Sequence, residues 1–166
     1  MFIAHIPAGY LFAKAIYQKV QLGDIRYRSY MWVMCVGAVF PDIDLFYFFL
    51  IDNQSVHHHK YFLHWPIFWL SLFLIFYLYA LYRRYRSKVA ILGSLFCAVA
   101  ILHVLLDTLV GDIWWFAPLI NQPYALFEVT ARYKPWWLNF IFHWSFVIEM
   151  LICLAAFVVY RKSARQ

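Results

Sequence analysis

Residues 40–65 read FPDIDLFYFFLIDNQSVHHHKYFLHW. An apolar run carries Asp42 and Asp44 near its start, with Pro41 directly before them. Proline has no backbone N–H and interrupts the helical hydrogen-bond ladder. The run ends in a polar stretch, DNQSVHHHK, and apolar sequence resumes at Tyr61. The pattern predicts a broken helix, a short loop and a second helix. The side chains at that junction, carboxylates and imidazoles, are metal-ligand types.

Composition places this junction in a membrane. The 166 residues are 66% hydrophobic and 13% charged, with mean hydropathy +0.67. A soluble domain is nearer 45–50% apolar and about 25% charged. The length suits one integral-membrane domain, residues 1–166. Four apolar runs are long enough to span: about 30–51, 61–82, 89–110 and 138–160. A fifth, about 2–18, is either a short span or a re-entrant helix. The expected fold is an all-α, small polytopic helical bundle with four to five transmembrane helices. No basic segment precedes the first run, so it is read as retained rather than as a signal peptide. Cys35, Cys97 and Cys153 fall in separate apolar runs and read as small core residues.

The net charge of +6 does not point to nucleic acid, because the basic residues sit in short loops. Lys14, Lys19, Arg26 and Arg28 surround the first loop; Arg83, Arg84, Arg86 and Lys88 fill the third; Arg161, Lys162 and Arg165 end the chain. The other two loops hold only Lys60, Arg132 and Lys134. The positive-inside rule then makes the first, third and terminal segments cytoplasmic. The C-terminus is inside. The other two loops are outside. If residues 2–18 cross, all seven histidines gather toward the outer face.

HVLLD sets His103 and Asp107 four apart, on one face of a helix. A plain His–Asp hydrogen bond would also explain that pair, but ionisable groups inside a membrane mark function by default. Asp42 and Asp44 would diverge on a regular helix; the break at Pro41 lets both converge, or leaves one to orient a ligand. His64 stands where the next apolar run begins, behind His57, His58 and His59. His5 and His143 are further candidates. Glu149 lies mid-span, six residues from His143, and reads as a hydrogen-bond partner for another helix. The pairs Trp114–Trp115 and Trp136–Trp137 read as interfacial anchors of the long loop between them.

AHIPAGY, FPDID, HHHKYFLH and HVLLD, in that order, resemble the bacterial membrane-bound metal-dependent hydrolase family, the SOS-associated inner-membrane hydrolases. The resemblance covers most of the chain. The family's middle motif reads H-R-x-x-T-H-S. Here Lys60 stands at its Arg, Leu63 at its Thr and Trp65 at its Ser, while His59 and His64 match its histidines. The resemblance implies a bacterial inner-membrane protein with a hydrolytic metal site, which the charge pattern of the loops would turn outward.

The expected ligands are Asp42, Asp44, His59, His64, His103 and Asp107, then His5 and His143, enough for two ions. Zinc suits this mixed set best; manganese and iron are alternatives. Asp44, His59 and Asp107 are the expected catalytic groups, and Lys60, Arg132 and Lys134 the expected phosphate-binding cations. The expected substrate is a lipid or lipid-linked ester or phosphoester. Two rivals use the same residues: a haem held between two histidines such as His103 and His143, and a metal or proton transporter continuing through Glu149. The carboxylates are superfluous to the haem reading. Oligomeric state is not legible.

Overall fold

The computed structural model describes residues 1, 3–20 and 22–164. Phe2, the expected start of the first run, and Arg165 of the basic terminus lie outside the described residues. Within them the chain is all-helical and without a strand. The helices are α1 (His5–Ile16), α2 (Tyr27–Gly37), α3 (Asp44–Leu50), α4 (Pro66–Tyr82), α5 (Lys88–Asp107), α6 (Trp137–Ile141) and α7 (Ser145–Ser163). Tight 3-10 turns cover Phe40–Ile43, His58–Lys60 and Phe62–His64. Between α5 and α6 the chain is irregular, pinned by an isolated antiparallel bridge from Ile113 to Tyr124.

α5 is the central post. It packs against α4, α2 and α1. Ser87 caps it, its side-chain oxygen accepting from the Ala90 N–H. One apolar cluster joins Ala13, Tyr30 and Met34 to Ile91, Leu95 and Val99. A second joins Trp69 to Cys97, Ala100, Val104 and Ile113. Close approach depends on glycine. A Cβ on Gly9 would lie 2.5 Å from the Ala38 Cβ, and one on Gly37 2.6 Å from a Val99 methyl. Small residues let helix backbones meet where there is no water to drive them together.

The contacts give the helices a direction. Backbone N–H groups of Ile3 and Ala4 meet Glu149, and the Tyr10 ring meets that of Tyr160, so α1 and α7 run parallel. Lys14 donates to the Tyr27 hydroxyl, and Tyr85 packs on the Ala13–Ile25–Tyr30 cluster. The first and third loops, with their basic residues, therefore share one end. His5, Asp42, His64, His103 and Asp107 share the other.

The helices are shorter than the apolar runs. α5 is the one helix among the described residues that is by itself long and apolar enough to cross a membrane. α2 and Phe40–Leu50 pass together, but bent by 57° at the Pro41 break. The run 61–82 becomes helical only at Pro66, because Trp65 is held extended at φ −83° and ψ 119°. A residue preceding proline is pushed out of the helical region. The run 138–160 divides into α6 and α7, and the run 2–18 yields a 12-residue α1 and a turn. Exposed Leu70, Leu74, Ile75 and Leu78 on α4, and Val147, Leu151 and Leu154 on α7, form an outer surface unsuited to water.

Gly9→Val should force α1 away from Ala38 and destabilise the bundle by about 1–3 kcal/mol. Thermal unfolding in detergent should show a lowered midpoint, while Leu151→Ile on the exposed face should leave it in place.

Candidate metal centre

The Pro41 break decides where both early carboxylates go. The N–H of Asp42 bonds to the Val39 carbonyl, as a 3-10 turn requires, and not to that of Ala38. The turn swings Asp42 and Asp44 to opposite edges of one imidazole. Asp44 Oδ2 lies 2.6 Å from His64 Nδ1, and Asp42 Oδ1 lies 3.6 Å from His64 Nε2. The carboxylate at Nδ1 leaves Nε2 as the lone-pair nitrogen. Asp44 is thus an orienting residue for His64. Its other oxygen, Oδ1, is buried without a hydrogen-bond partner.

The last turn of α5 supplies His103 and Asp107. His103 Nδ1 donates to the Ala38 carbonyl at 2.7 Å, which turns Nε2 to within 2.9 Å of Asp107 Oδ2. Asp42 Oδ1 is 3.6 Å from the same Nε2. Asp107 Oδ1 faces His5 Nε2 at 3.2 Å and the Met1 nitrogen. The His5 ring stacks on His103, centroids 3.7 Å apart.

The loop contributes His59. Its Nδ1 donates to the Asp112 carbonyl at 3.2 Å, and its Nε2 lies 3.8 Å from Asp107 Oδ2. Gly111 makes room, since a Cβ there would stand 2.6 Å from the His59 ring. Burial pushes the His58 imidazole down to about 3 and His59 well below its ordinary value. Both are neutral at pH 7, the form that ligates metals.

Three atoms test the fit to a cation. His64 Nε2, His103 Nε2 and Asp107 Oδ2 are buried without hydrogen-bond partners. Burying one such atom costs about 1–3 kcal/mol, and more for a charged group. Here the three orphans converge. With Asp42 they form a set whose ligand atoms all lie within 4.8 Å of one another. Each imidazole is tied at its other nitrogen, the arrangement typical of metal ligands. Two imidazoles and two carboxylates fit a divalent cation. His58, His59 and His64 form a second set by the same measure.

Above the cluster lies a cavity of about 470 Å³. Its polar wall includes Asp42, His58, His59, Asp112 and Glu128; its apolar wall includes Phe127, Trp136 and Phe140. The expected cations are elsewhere. Lys60 and Lys134 are exposed, and Arg132 lines an adjoining cavity of about 320 Å³ that shares Glu128 and Val129 with the first. His143 lines that second cavity too, its Nδ1 2.8 Å from Ser145 Oγ, and does not join the cluster. Its position, in the 142–144 break before α7, turns it toward Ser145. Glu149 accepts from the backbone N–H groups of Ile3 and Ala4, at 2.6 and 3.2 Å, holding the start of α1. Sequence alone does not set His58 apart from His57, nor reveal the carbonyls of Ala38 and Asp112 as partners.

A family model described as YdjM inner membrane protein matches residues 1–166, the whole chain. The chain belongs to the YdjM inner membrane protein family. That membership accounts for the apolar outer surface of α4 and α7 and agrees with the bacterial inner-membrane location implied by the sequence. The family description names a location and not a reaction. No curated protein and no solved structure matches this YdjM-family chain.

Asp44→Asn should weaken zinc binding about 10–100-fold, the usual cost of losing a partner behind a ligating histidine. Competition against a chromogenic chelator measures it; unchanged affinity would remove Asp44 from the site.

Proposed function

We propose that this YdjM-family protein is a membrane-embedded, metal-dependent hydrolase acting on a lipid or lipid-linked ester or phosphoester at the outer face of the inner membrane. The carrying observation is the convergence of His64 Nε2, His103 Nε2 and Asp107 Oδ2, buried and without a hydrogen bond, beside Asp42 under an open cavity. Asp42, His64, His103 and Asp107 would hold the ion, with zinc best suited to the set. A divalent cation there supplies Lewis acidity, polarising an ester oxygen and making water more acidic.

The remaining work belongs to side chains. Asp44 fixes the His64 ring, and the Ala38 carbonyl fixes that of His103. Asp42 has a side chain 30% exposed and lines the cavity, whereas Asp107 is fully buried. Of the four ligands Asp42 is therefore the one that faces the substrate, and the role of general base falls to a cavity carboxylate outside the ligand set, Asp112 or Glu128. Phe127, Trp136 and Phe140 give the cavity an apolar wall that suits an acyl or prenyl chain. No lysine or arginine is among the described residues lining it, so an uncharged ester is as well served as a phosphoester.

Orientation follows from charge. The donors occupy one end of the bundle and the loops with Lys14, Lys19, Arg26 and Arg83–Arg86 the other. The positive-inside rule turns the basic end to the cytoplasm and the cavity outward. We take the chain as one domain of four to five membrane passes, counting the bent α2–α3 unit as one and the shorter α1, α4 and α7 as others. The rival readings lose support. His103 is engaged with Ala38, Asp107 and His5 while His143 turns to Ser145, so this pair does not offer two haem ligands. Glu149 holds backbone amides, which removes the step a transport path would have used next.

Protein purified in detergent without chelator should carry zinc or manganese, and Asp42→Ala/His103→Ala should carry none. Asp112→Asn/Glu128→Gln should lower turnover of fluorogenic lipid esters and phosphoesters about 100-fold. Elemental analysis showing no transition metal in the unaltered protein, even after zinc loading, would sink this reading.

A further inference from the structure

The histidines of the outer loop raise a separate question. A tetrahedral zinc ion takes four ligands. Asp42, His64, His103 and Asp107 already complete that number, yet His58 and His59 lie against the same cluster. The His58 and His59 ring centroids are 4.0 Å apart, and those of His59 and His64 are 4.5 Å apart. The donors form two sets with only His64 in common, not one set. One ion therefore does not reach all of them.

His64 cannot serve both sets. Its Nδ1 is occupied by Asp44, and its Nε2 is one lone pair. Asp42 and Asp107 approach that nitrogen at 3.6 and 3.8 Å, which assigns it to the inner set. The outer set keeps His58 and His59. The carboxylate nearest both groups is Asp107, whose Oδ2 lies 3.8 Å from His59 Nε2 and 2.9 Å from His103 Nε2, although it falls outside the 4.8 Å span that joins His58, His59 and His64. A carboxylate between two groups of imidazoles is the bridging element of a two-ion site.

We propose that the protein holds a second divalent cation between His58 and His59, bridged by Asp107 to the inner ion. This rests on the metal-centre reading above and extends it. The two positions differ in character. Of the inner set only Asp42 lines the cavity, whereas both outer histidines do. The outer ion has fewer protein ligands and keeps open positions toward the cavity. It is the more exchangeable of the two and the first that a substrate meets. Paired ions clamp the attacking and leaving oxygens of a displacement, and a second ion supplies the phosphoester with the positive charge that the cavity's described side chains lack.

The test is stoichiometry on the full-length protein in detergent, loaded with zinc alone and read by elemental analysis. The unaltered chain should hold two ions, His58→Ala one, and a weak chelator should strip the unaltered chain to one. Gly111→Ala, which pushes on the His59 ring without removing a donor, should also lose the outer ion first. Cobalt titration of the unaltered protein gives a readout that needs no variant: two successive rises in visible absorption, the second weaker in affinity. One ion in both the unaltered protein and His58→Ala overturns the second site and leaves the inner one standing. Two ions in both place the second ion elsewhere and also overturn it. No ion in either removes both.

Discussion

The charge on Asp107 is the constraint from which the site end of this molecule follows. A carboxylate buried at the end of α5 is tolerated only where positive or hydrogen-bonding groups surround it, since an unpaired buried charge costs several kcal/mol. The imidazoles of His5, His59, His64 and His103 all face it. They come from the start of α1, the His58–Lys60 turn, the turn before α4 and α5 itself. Four separated parts of the chain are thus drawn to one group. The same crowding leaves Asp107 Oδ2 and two imidazole nitrogens without a hydrogen bond, an arrangement that a cation would resolve.

Convergence also depends on breaks in the helices. In an uninterrupted helix the Ala38 carbonyl would accept from the N–H of Asp42. The 3-10 turn after Pro41 redirects that N–H to Val39, and the released Ala38 carbonyl accepts from His103 Nδ1 instead. One local substitution of hydrogen bonds therefore bends the α2–α3 unit, frees an acceptor and selects the His103 tautomer. The tight turns at His58–Lys60 and Phe62–His64 work similarly, keeping backbone groups bonded while aiming side chains that a regular helix would spread apart. Irregular backbone at membrane depth is tolerated where it lines a cavity or is covered by protein. Asp42, His58 and His59 on these turns line the cavity, and His64 is buried.

Much of this was legible in the residues. Apolar runs gave the helical class, and the i, i+4 spacing put His103 and Asp107 on one face. Pro41 announced a break that would let two carboxylates two residues apart act together. Less legible were the features that tertiary contact decides. Hydropathy does not register that Trp65, ahead of a proline, would delay α4 to Pro66, so the apolar run overstated the helix. His143 looked equivalent to His5, but a break before α7 turns it to Ser145. Charge points to Lys60, Arg132 and Lys134 as phosphate-binding cations, but charge does not state which wall of which cavity a residue lines. Backbone carbonyls carry no sequence signal at all, yet those of Ala38 and Asp112 set two of the imidazoles.

Glu149 illustrates how a single buried acid is read differently once its partners are known. A carboxylate inside a membrane helix suggests a proton path by default. Here it accepts from the amides of Ile3 and Ala4 just before α1, where Ala4 offers no side-chain cap. A negative charge at a helix N-terminus is favourable toward the helix dipole and satisfies donors that the helix leaves open. The acid on α7 thus pins the two residues that lead into α1, and α1 carries His5 one residue further on. Its effect on the cluster is mechanical: it holds the parallel α1–α7 pair in register so that His5 stacks on His103 and reaches Asp107. The same chemistry that would pass a proton in another setting here fixes the position of an imidazole, and the distinction lies in what the oxygen touches, not in which residue it is.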